Sequence, residues 1–285
     1  MANLSPISAT NVRRIASRTK GHRHGPITRL MSPGDLGELV KPFVFLDYFE
    51  FSDAVKAGLP VHPHSGIATH TTVLQGALDY ADSTGKSGSL GSHSIEWMQA
   101  GNGVWHGGGP AGGTEPLRGF QLWIALPPSL ELADAFSDYV DDEAIPRDGN
   151  ARLLLGSYRE HGSRIAYHEP VTYLHVRLQD GQRWTYRPAP SHDVAWLAVA
   201  IGGLLVDGQT LRREMAVFEE GSESIEVIAQ GETEFVIASA TKHPYPLVTG
   251  YYSVHTNADA LVRGEAGYEK IARTMKLTPG EPIEP

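Results

Sequence analysis

Residues 194–240 read VAWLAVA IGGLLVDGQT LRREMAVFEE GSESIEVIAQ GETEFVIASA. Short apolar runs alternate in this stretch with turn signals. The turn signals are Gly202-Gly203, Asp207-Gly208, Glu220-Gly221 and Gln230-Gly231. A spacing of roughly ten residues between turns is typical of short antiparallel strands. The stretch therefore predicts part of a β-sandwich or β-barrel.

The same pattern occurs earlier in the chain, on the other side of a polar, acidic interval at residues 138–150. The apolar runs before and after that interval are Ile27–Met31, Pro42–Phe51, Ile67–Gln75, Glu96–Ala100, Gly119–Leu126 and Val171–Leu178. We therefore predict a first β domain over residues 1–140, a linker over 141–164 and a second β domain over 165–285. Within the second, residues 257–276 have helical spacing and 278–285 form a tail.

Composition excludes several classes of protein. The 285 residues include 24 Lys and Arg against 33 Asp and Glu, a net charge of −9, which argues against direct nucleic-acid binding. The sequence contains no run of 18 apolar residues, so it predicts no membrane span. The basic first twenty residues lack the apolar core of a secretory signal. We expect a cytoplasmic protein. The absence of cysteine excludes disulfides, Cys-ligated zinc, iron–sulfur clusters and thiol nucleophiles.

Three histidines are candidate metal ligands. His62 and His64 lie two apart in the sequence VHPHSG (61–66), so in an extended strand both imidazoles point the same way. His106 lies among glycines in GNGVWHGGGP (101–110), where the backbone can approach a site closely. Without cysteine, any metal must be held by imidazole, carboxylate and water. Surface or hydrogen-bonded histidines remain the alternative interpretation of the pattern.

The other histidines give weaker signals. His22 and His24 lie in a basic stretch and indicate a solvated arm, and His93 lies in a Ser/Gly turn at the surface. His70 has the strand parity of His62 and His64, but six residues of strand place it about 20 Å from His64. It is therefore a candidate cavity wall. His168 and His192 are expected to be surface or structural groups, in a second domain that binds no metal.

The motifs of the first 126 residues resemble the first domain of pirins, and the remainder resembles their second domain. The matching segments are His62-Pro63-His64-Ser65-Gly66, Leu74-Gln75-Gly76, Asp82-Ser83-Thr84-Gly85, Glu96-Trp97-Met98-Gln99-Ala100-Gly101, His106, Gly119-Phe120-Gln121-Leu122-Trp123, Ile201-Gly202-Gly203 and Ala260–Arg273. The resemblance implies a bicupin: two antiparallel jelly-roll β-barrels packed together, a short C-terminal helix, and iron in the N-terminal barrel only.

The resemblance also implies a ligand set, from which this chain departs. His62, His64 and His106 match the three histidine ligands of pirins. The family's two glutamates in these motifs are matched by Gly108 and Ala68, so the site has three histidines without a carboxylate. Glu96 begins a strand, and its face cannot be assigned from the sequence. We expect Gly108→Glu to tighten metal binding, provided that the backbone accepts a side chain.

Several pirins open the central ring of quercetin with dioxygen, so the resemblance implies a flavonol dioxygenase. Fe(II) is the expected ion, with Zn, Ni, Co, Cu, Mn or an empty site as alternatives. His70 is the candidate catalytic base. The candidate lining residues, for which ordinary barrel core is the alternative, are Phe43, Phe45, Trp97, Met98, Trp105 and Trp123.

Two further readings stay open at this point. Pirins include regulatory proteins that act through surface contacts, and an acidic chain with a weakened metal site fits such a role. A degenerate cupin that keeps only the scaffold is the third reading. The sequence predicts no particular protein partner.

Overall fold

Strands dominate the computed structural model, which describes residues 12–52, 59–111 and 115–277. The first part of the chain contains β1 Ile15–Thr19, β2 His22–His24, β3 Ile27–Met31, α1 Leu36–Val40, β4 Phe43–Phe51, β5 Leu59–His64, β6 Ile67–Gln75, β7 Leu78–Asp82, β8 Ser87–Leu90, β9 Ile95–Gln99, β10 Val104–Pro110, β11 Leu117–Ala125 and β12 Phe136–Val140.

The second part begins after a 3₁₀ turn at Asp142–Ala144. It contains β13 Arg147–Asp148, β14 Ala151–Tyr158, β15 His161–Gly162, β16 Val171–Leu178, β17 Arg183–Tyr186, β18 Val194–Ile201, β19 Leu204–Val206, β20 Gln209–Leu211, β21 Met215–Phe218, β22 Ile225–Ala229, β23 Thr233–Ala240, β24 Val248–Gly250, β25 Ser253–His255 and α2 Ala258–Met275.

Each barrel combines one large and one small antiparallel sheet. In the first barrel the orders are β12-β9-β6-β11-β4-β3-β2 and β5-β10-β7-β8. In the second they are β1-β21-β18-β23-β16-β14-β13, with β15 beside β14, and β17-β22-β19-β20. The prediction of an all-β bicupin with a C-terminal helix is confirmed. Asn257 caps that helix, since its side chain accepts a hydrogen bond from the Ala260 amide at 2.9 Å.

The two large sheets share one hydrophobic core between the barrels. Phe43 of the first barrel meets Trp196 of the second edge-on, with ring centroids 5.7 Å apart. Trp97 and Tyr167 pack in the same cluster, 5.0 Å apart. Burying aromatic rings of this size contributes a large share of the packing energy of an interface. The barrels are therefore joined through a dry core, and their mutual position is fixed by it.

Both ends of the chain cross to the other barrel, which corrects the predicted boundaries. β1 pairs with β21 of the second barrel, although it lies within the predicted domain 1–140. α2 packs on β5 and β10 of the first barrel, although it lies within 165–285. The Trp105 indole, on β10, donates to the Tyr268 carbonyl of α2 at 2.8 Å.

The predicted linker at 141–164 is also corrected. Its residues 151–158 form β14, a strand of the second large sheet that pairs with β16 and has buried leucines. The acidic turn at Asp142–Ala144 precedes this strand and gave the segment its polar appearance. The tail predicted for 278–285 lies outside the described residues. No helix of the described residues is long and apolar enough to cross a membrane.

A buried polar network lies beside the core between the barrels. His175 accepts a hydrogen bond from Arg152 at Nδ1 (3.0 Å) and donates from Nε2 to Glu234 (2.9 Å), which fixes its tautomer. Burial lowers the pKa of His175 to about 4. Glu234 also accepts from Arg177 at 2.9 Å, and although its own burial opposes this, these hydrogen bonds lower the pKa of Glu234 to about 2.

This network predicts a loss of stability in mild acid. Both folded pKa values lie below the unfolded ones, so the unfolded state takes up more protons. The contribution of His175 is lost between about pH 6.5 and about pH 4, and that of Glu234 between about pH 4.5 and about pH 2. Urea unfolding at pH 7 and pH 5 measures this effect. His175→Gln should have a lower free energy of unfolding than the wild type at pH 7. Its free energy of unfolding should also fall less steeply with decreasing pH, and the slope can differ by at most about 1.4 kcal/mol per pH unit, the value for one proton.

The matched control is His22→Gln, because His22 is exposed on β2. That variant should keep the wild-type pH dependence. An unchanged slope in His175→Gln would show that the network does not carry the acid sensitivity.

Candidate metal centre

Three imidazoles meet inside the first barrel, between β5 and β10 of its small sheet. His106 is the direct cross-strand partner of His62, and His64 pairs with Val104 two positions along. The Nε2 atom of His106 lies 3.1 Å from Nε2 of His62 and 3.1 Å from Nε2 of His64. His64 and His106 are buried and His62 is half-buried. The structure thus brings together the three histidines proposed from the sequence.

Backbone carbonyls fix the tautomers of two of these rings. Nδ1 of His62 lies 2.7 Å from the Pro60 carbonyl, and Nδ1 of His64 lies 2.9 Å from the Tyr252 carbonyl. A carbonyl oxygen only accepts, so both Nδ1 atoms carry the proton and both Nε2 atoms present a lone pair. Burial lowers the pKa of His62 to about 3, and burial lowers the pKa of His64 well below its usual value. Both rings are therefore neutral.

The arrangement fits a divalent ion. The lone pairs of His62 and His64 both face Nε2 of His106, and a proton on that atom can be donated to only one of them. A cation satisfies all three nitrogens, and a 3.1 Å separation suits neighbouring ligands that each lie about 2.0–2.1 Å from one ion. These residues could therefore hold a metal ion.

The carboxylate of Glu96 lies near the side of the His106 ring that faces away from the other two histidines. Oε1 of the buried Glu96 lies 3.8 Å from Nδ1 of His106, the ring nitrogen opposite the metal-facing one. The other oxygen of Glu96 accepts a hydrogen bond from Thr71 at 2.5 Å. Glu96 therefore faces the barrel interior, which the sequence could not assign, but it lies behind the histidine and not among the three ligands.

A cavity of about 240 Å³ opens beside the histidines. Its wall carries Phe45 and Trp123, which stack with centroids 4.0 Å apart and planes 8° apart. Tyr252 covers one side, with its ring 5.0 Å from that of His62. Polar groups also line the cavity: Arg29, Asp47 and Gln121. The site therefore combines a candidate metal position, a flat apolar wall and a small polar region.

The sequence of the chain is similar to those of known proteins. A sequence model of the pirin family matches residues 26–124. A Pseudomonas aeruginosa protein named "Putative quercetin 2,3-dioxygenase" is 30% identical over 244 residues, which are 79% of this chain and 84% of that protein. The chain belongs to the pirin family.

Solved structures show the same fold. A quercetin 2,3-dioxygenase from Acinetobacter baumannii superposes with a TM-score of 0.82 at 20% identity, over 91% of this pirin and 97% of that chain. A bacterial pirin from Escherichia coli, in complex with nickel(II), superposes with a TM-score of 0.63 at 19% identity. The match covers 81% of this pirin and 98% of that chain. At these identities the likeness concerns the bicupin fold.

Ala68 and Gly108, the two positions at which the resemblance implied glutamates, have different surroundings. Ala68 lies in the core between the barrels, on the sheet face away from the histidines. Gly108 lies on β10, where an added Cβ would meet the Asp79 carbonyl oxygen at 2.1 Å. The neighbouring strand therefore leaves no room for a side chain at position 108. The condition attached to Gly108→Glu, that the backbone accept a side chain, is therefore not met.

The expected cavity lining is only partly found at the cavity. Phe45 and Trp123 line it, and Met98 packs in the same cluster behind them. Phe43 and Trp97 instead face the core between the barrels, and Trp105 packs against α2. The parity argument fails for Phe43 because β4 has a bulge: consecutive residues Trp123 and Ile124 pair with Phe45 and Phe43.

His70 is likewise not at the cavity. It is fully buried between the barrels, with its ring 5.1 Å from that of Tyr173. Parity with His64 is lost at Ser65-Gly66, where the chain leaves the small sheet and enters the large one. The structure therefore does not place His70 where it could act as a catalytic base at this cavity.

Sequence reasoning missed the C-terminal hairpin of β24 and β25. This hairpin supplies Tyr252. A bridge between Ser253 and Ser65, the residue after β5, joins it to the strand that carries His62 and His64. Arg29 and Asp47 were also missed. They are cross-strand partners on β3 and β4, but they are separated by 18 positions and belong to no metal motif. No local signal in the sequence connects these residues with the histidines.

The clash at Gly108 generates a prediction. Gly108→Glu should destabilise the protein by about 1–3 kcal/mol, because β7 must move to admit the Cβ, and Fe(II) affinity should not rise. Thermal or urea unfolding and Fe(II) titration measure the two effects. Gly162→Ala is the control, since an added Cβ meets nothing within 4 Å at that position. Tighter Fe(II) binding with unchanged stability would contradict this account of the backbone.

The position of the Glu96 carboxylate behind His106 leads to another prediction. Glu96→Gln removes a carboxylate 3.8 Å from Nδ1 of His106 and should weaken metal affinity up to about 10-fold, the lower end of the effect of losing a hydrogen-bonded partner, because this contact is longer than a hydrogen bond. Isothermal titration with Ni(II) measures it. Asp79→Asn, on the strand β7 that flanks β10, serves as the control and should bind Ni(II) as the wild type does. Equal affinity in Glu96→Gln and wild type would limit Glu96 to a packing role.

Proposed function

We propose that this pirin is a metal-dependent dioxygenase acting on flavonol-like aromatic compounds, with Fe(II) as its ion. The observation that carries the proposal is the convergence of three imidazole nitrogens at the edge of a cavity with stacked aromatic side chains in its wall. The P. aeruginosa relative and the A. baumannii structure, both named for quercetin 2,3-dioxygenase, support it.

His62, His64 and His106 would hold the ion through Nε2. When bound there, a divalent ion lowers the pKa of a chelated hydroxyl and so favours the electron-rich, deprotonated ring that reacts with dioxygen. The protein itself supplies three neutral ligands and leaves the remaining positions to oxygen ligands. Neutral imidazoles also accept Ni, Co, Zn and Cu, so the choice of Fe(II) belongs to the proposal.

The cavity wall would orient the substrate. The rings of Phe45 and Trp123 are stacked face to face, and a planar aromatic ring could continue this stack on the Trp123 side. Trp123 also contacts His64 edge-on, with centroids 4.9 Å apart, so a ring held by the wall lies next to the candidate ion. A cavity of about 240 Å³ is at the small end for ligand pockets and suits one compact molecule.

Oxygen consumption tests the proposal. Wild-type protein supplied with Fe(II) and quercetin should take up dioxygen, and His106→Ala should lose this uptake at least about 100-fold because two ligands bind the ion too weakly. His24→Ala is the matched control: it alters the other His-x-His pair, which is exposed on β2, and should leave the uptake unchanged. Failure of the wild type to consume dioxygen with any divalent ion would overturn the enzymatic proposal and favour a binding protein.

A further inference from the structure

A bidentate ion pair lines the same cavity as the histidines. Nε of Arg29 donates to Oδ1 of Asp47 at 2.5 Å, and Nη2 donates to Oδ2 at 3.1 Å. The guanidinium also lies 3.9 Å from the centre of the Phe45 ring. The carboxylate thus holds one edge of the guanidinium, and the Phe45 ring adds a cation–π contact. The Nη1 group of Arg29 makes no hydrogen bond to the described residues and remains available to a ligand.

The position of this pair is unusual for a merely structural one. Its neighbours along the cavity are apolar, namely Phe45, Phe49 and Trp123. The Asp47 side chain is only 10% exposed, and burial raises the pKa of Asp47 against the opposing effect of Arg29. Withdrawing the Asp47 carboxylate from water is costly, and the Arg29 guanidinium compensates for it while its side chain stays 38% exposed and within reach of a ligand. A fixed guanidinium in an apolar cavity is the arrangement that recognises an anionic oxygen.

A second polar group on the wall is incompletely paired. The Gln121 amide lies 3.1 Å from the Thr71 hydroxyl through one of its ends. Thr71 has a single proton, and its shorter contact, at 2.5 Å, is to Glu96. The other end of the Gln121 amide is buried and has no hydrogen-bond partner among the described residues. Leaving a buried amide group unpaired is unfavourable, and a small movement of the Gln121 side chain would let this group donate to a ligand in the cavity.

We infer that Arg29, held in place by Asp47 and assisted by Gln121, binds an ionised or strongly accepting oxygen on the substrate, remote from the oxygens that face the histidines. The substrate class is then a planar aromatic chelator with a second acidic oxygen, such as a flavonol hydroxylated on its outer rings. This inference rests on the proposed function for its choice of substrate. Arg29 is a specificity-determining residue in this account, and Asp47 is a positioning residue.

The experiment compares two flavonols with the same chelating oxygens. Quercetin has hydroxyls on its outer rings, and 3-hydroxyflavone has none. Binding to Ni(II)-loaded protein without dioxygen is measured from the absorption change of the flavonol and the quenching of tryptophan fluorescence. Arg29→Gln should weaken quercetin binding about tenfold or more, equivalent to about 1.4 kcal/mol, and should change 3-hydroxyflavone binding less than about twofold.

The matched control is Arg18→Gln. Arg18 forms a comparable pair with Glu214, and its side chain is 37% exposed against 38% for Arg29, but it lies on β1 in the second barrel. This variant should bind both flavonols as the wild type does. Ni(II) affinity, titrated separately, should be the same in all three proteins. Arg29→Lys keeps the charge and should recover part of the preference for quercetin.

The outcomes separate this inference from the proposed function. Equal weakening of both flavonols in Arg29→Gln, or no weakening of either, overturns the role of Arg29, as does a wild type that binds neither compound. If Arg29→Gln unfolds, Arg29→Lys decides: a preference for quercetin equal to that of the wild type overturns the need for the guanidinium fork. Arg29-dependent quercetin binding without oxygen uptake by the wild type would retain the subsite and overturn the dioxygenase.

Discussion

The seven-stranded sheet of the first barrel is buried on both faces, and the rest of the molecule depends on how its strands divide their side chains between those faces. On β6, His70 and Thr72 point into the core between the barrels, whereas Thr71 points into the first barrel and meets Glu96. On β9, Trp97 packs between the barrels while Glu96 supports His106. Two-residue alternation thus separates a dry core from a chemically active interior. A shift of one residue in register would exchange the two sets.

The metal centre is completed by a segment far away in sequence. The Tyr252 carbonyl fixes the tautomer of His64, 188 positions earlier. Directly beneath, Ser65 lies 3.0 Å from Nε2 of His255, whose Nδ1 lies 3.1 Å from Glu131. All three residues are buried, so these hydrogen bonds hold the C-terminal hairpin against the end of β5, the strand that carries His62 and His64. The exchange of chain ends between barrels therefore joins the geometry of the ligands to the folding of the second half.

The sequence contains the local part of this design and not the long-range part. His62 and His64 share a face because strand geometry has a fixed period, and that argument needs no tertiary information. The same argument fails at His70 and Phe43, since a change of sheet and a bulge each reset the phase, and neither leaves a distinct signal in the residues. Arg29 and Asp47 meet only because β3 pairs with β4 in one register. Likewise, the strand inside the predicted linker was hidden by the acidic turn before it.

The three histidines offer an ion no negative ligand, so its charge must be neutralised by something else. Gly108 lies so close to β7 that the backbone itself excludes a side chain, so no carboxylate can enter the site from this position. Imidazole ligands cancel none of a divalent ion's charge, the nearby Arg29–Asp47 pair adds no net charge to the cavity, and the Glu96 carboxylate offsets that charge only from behind His106. Attraction between unlike charges is strong in such a poorly solvated interior. The centre should consequently prefer ligands that bring negative charge with them, such as a deprotonated chelating hydroxyl.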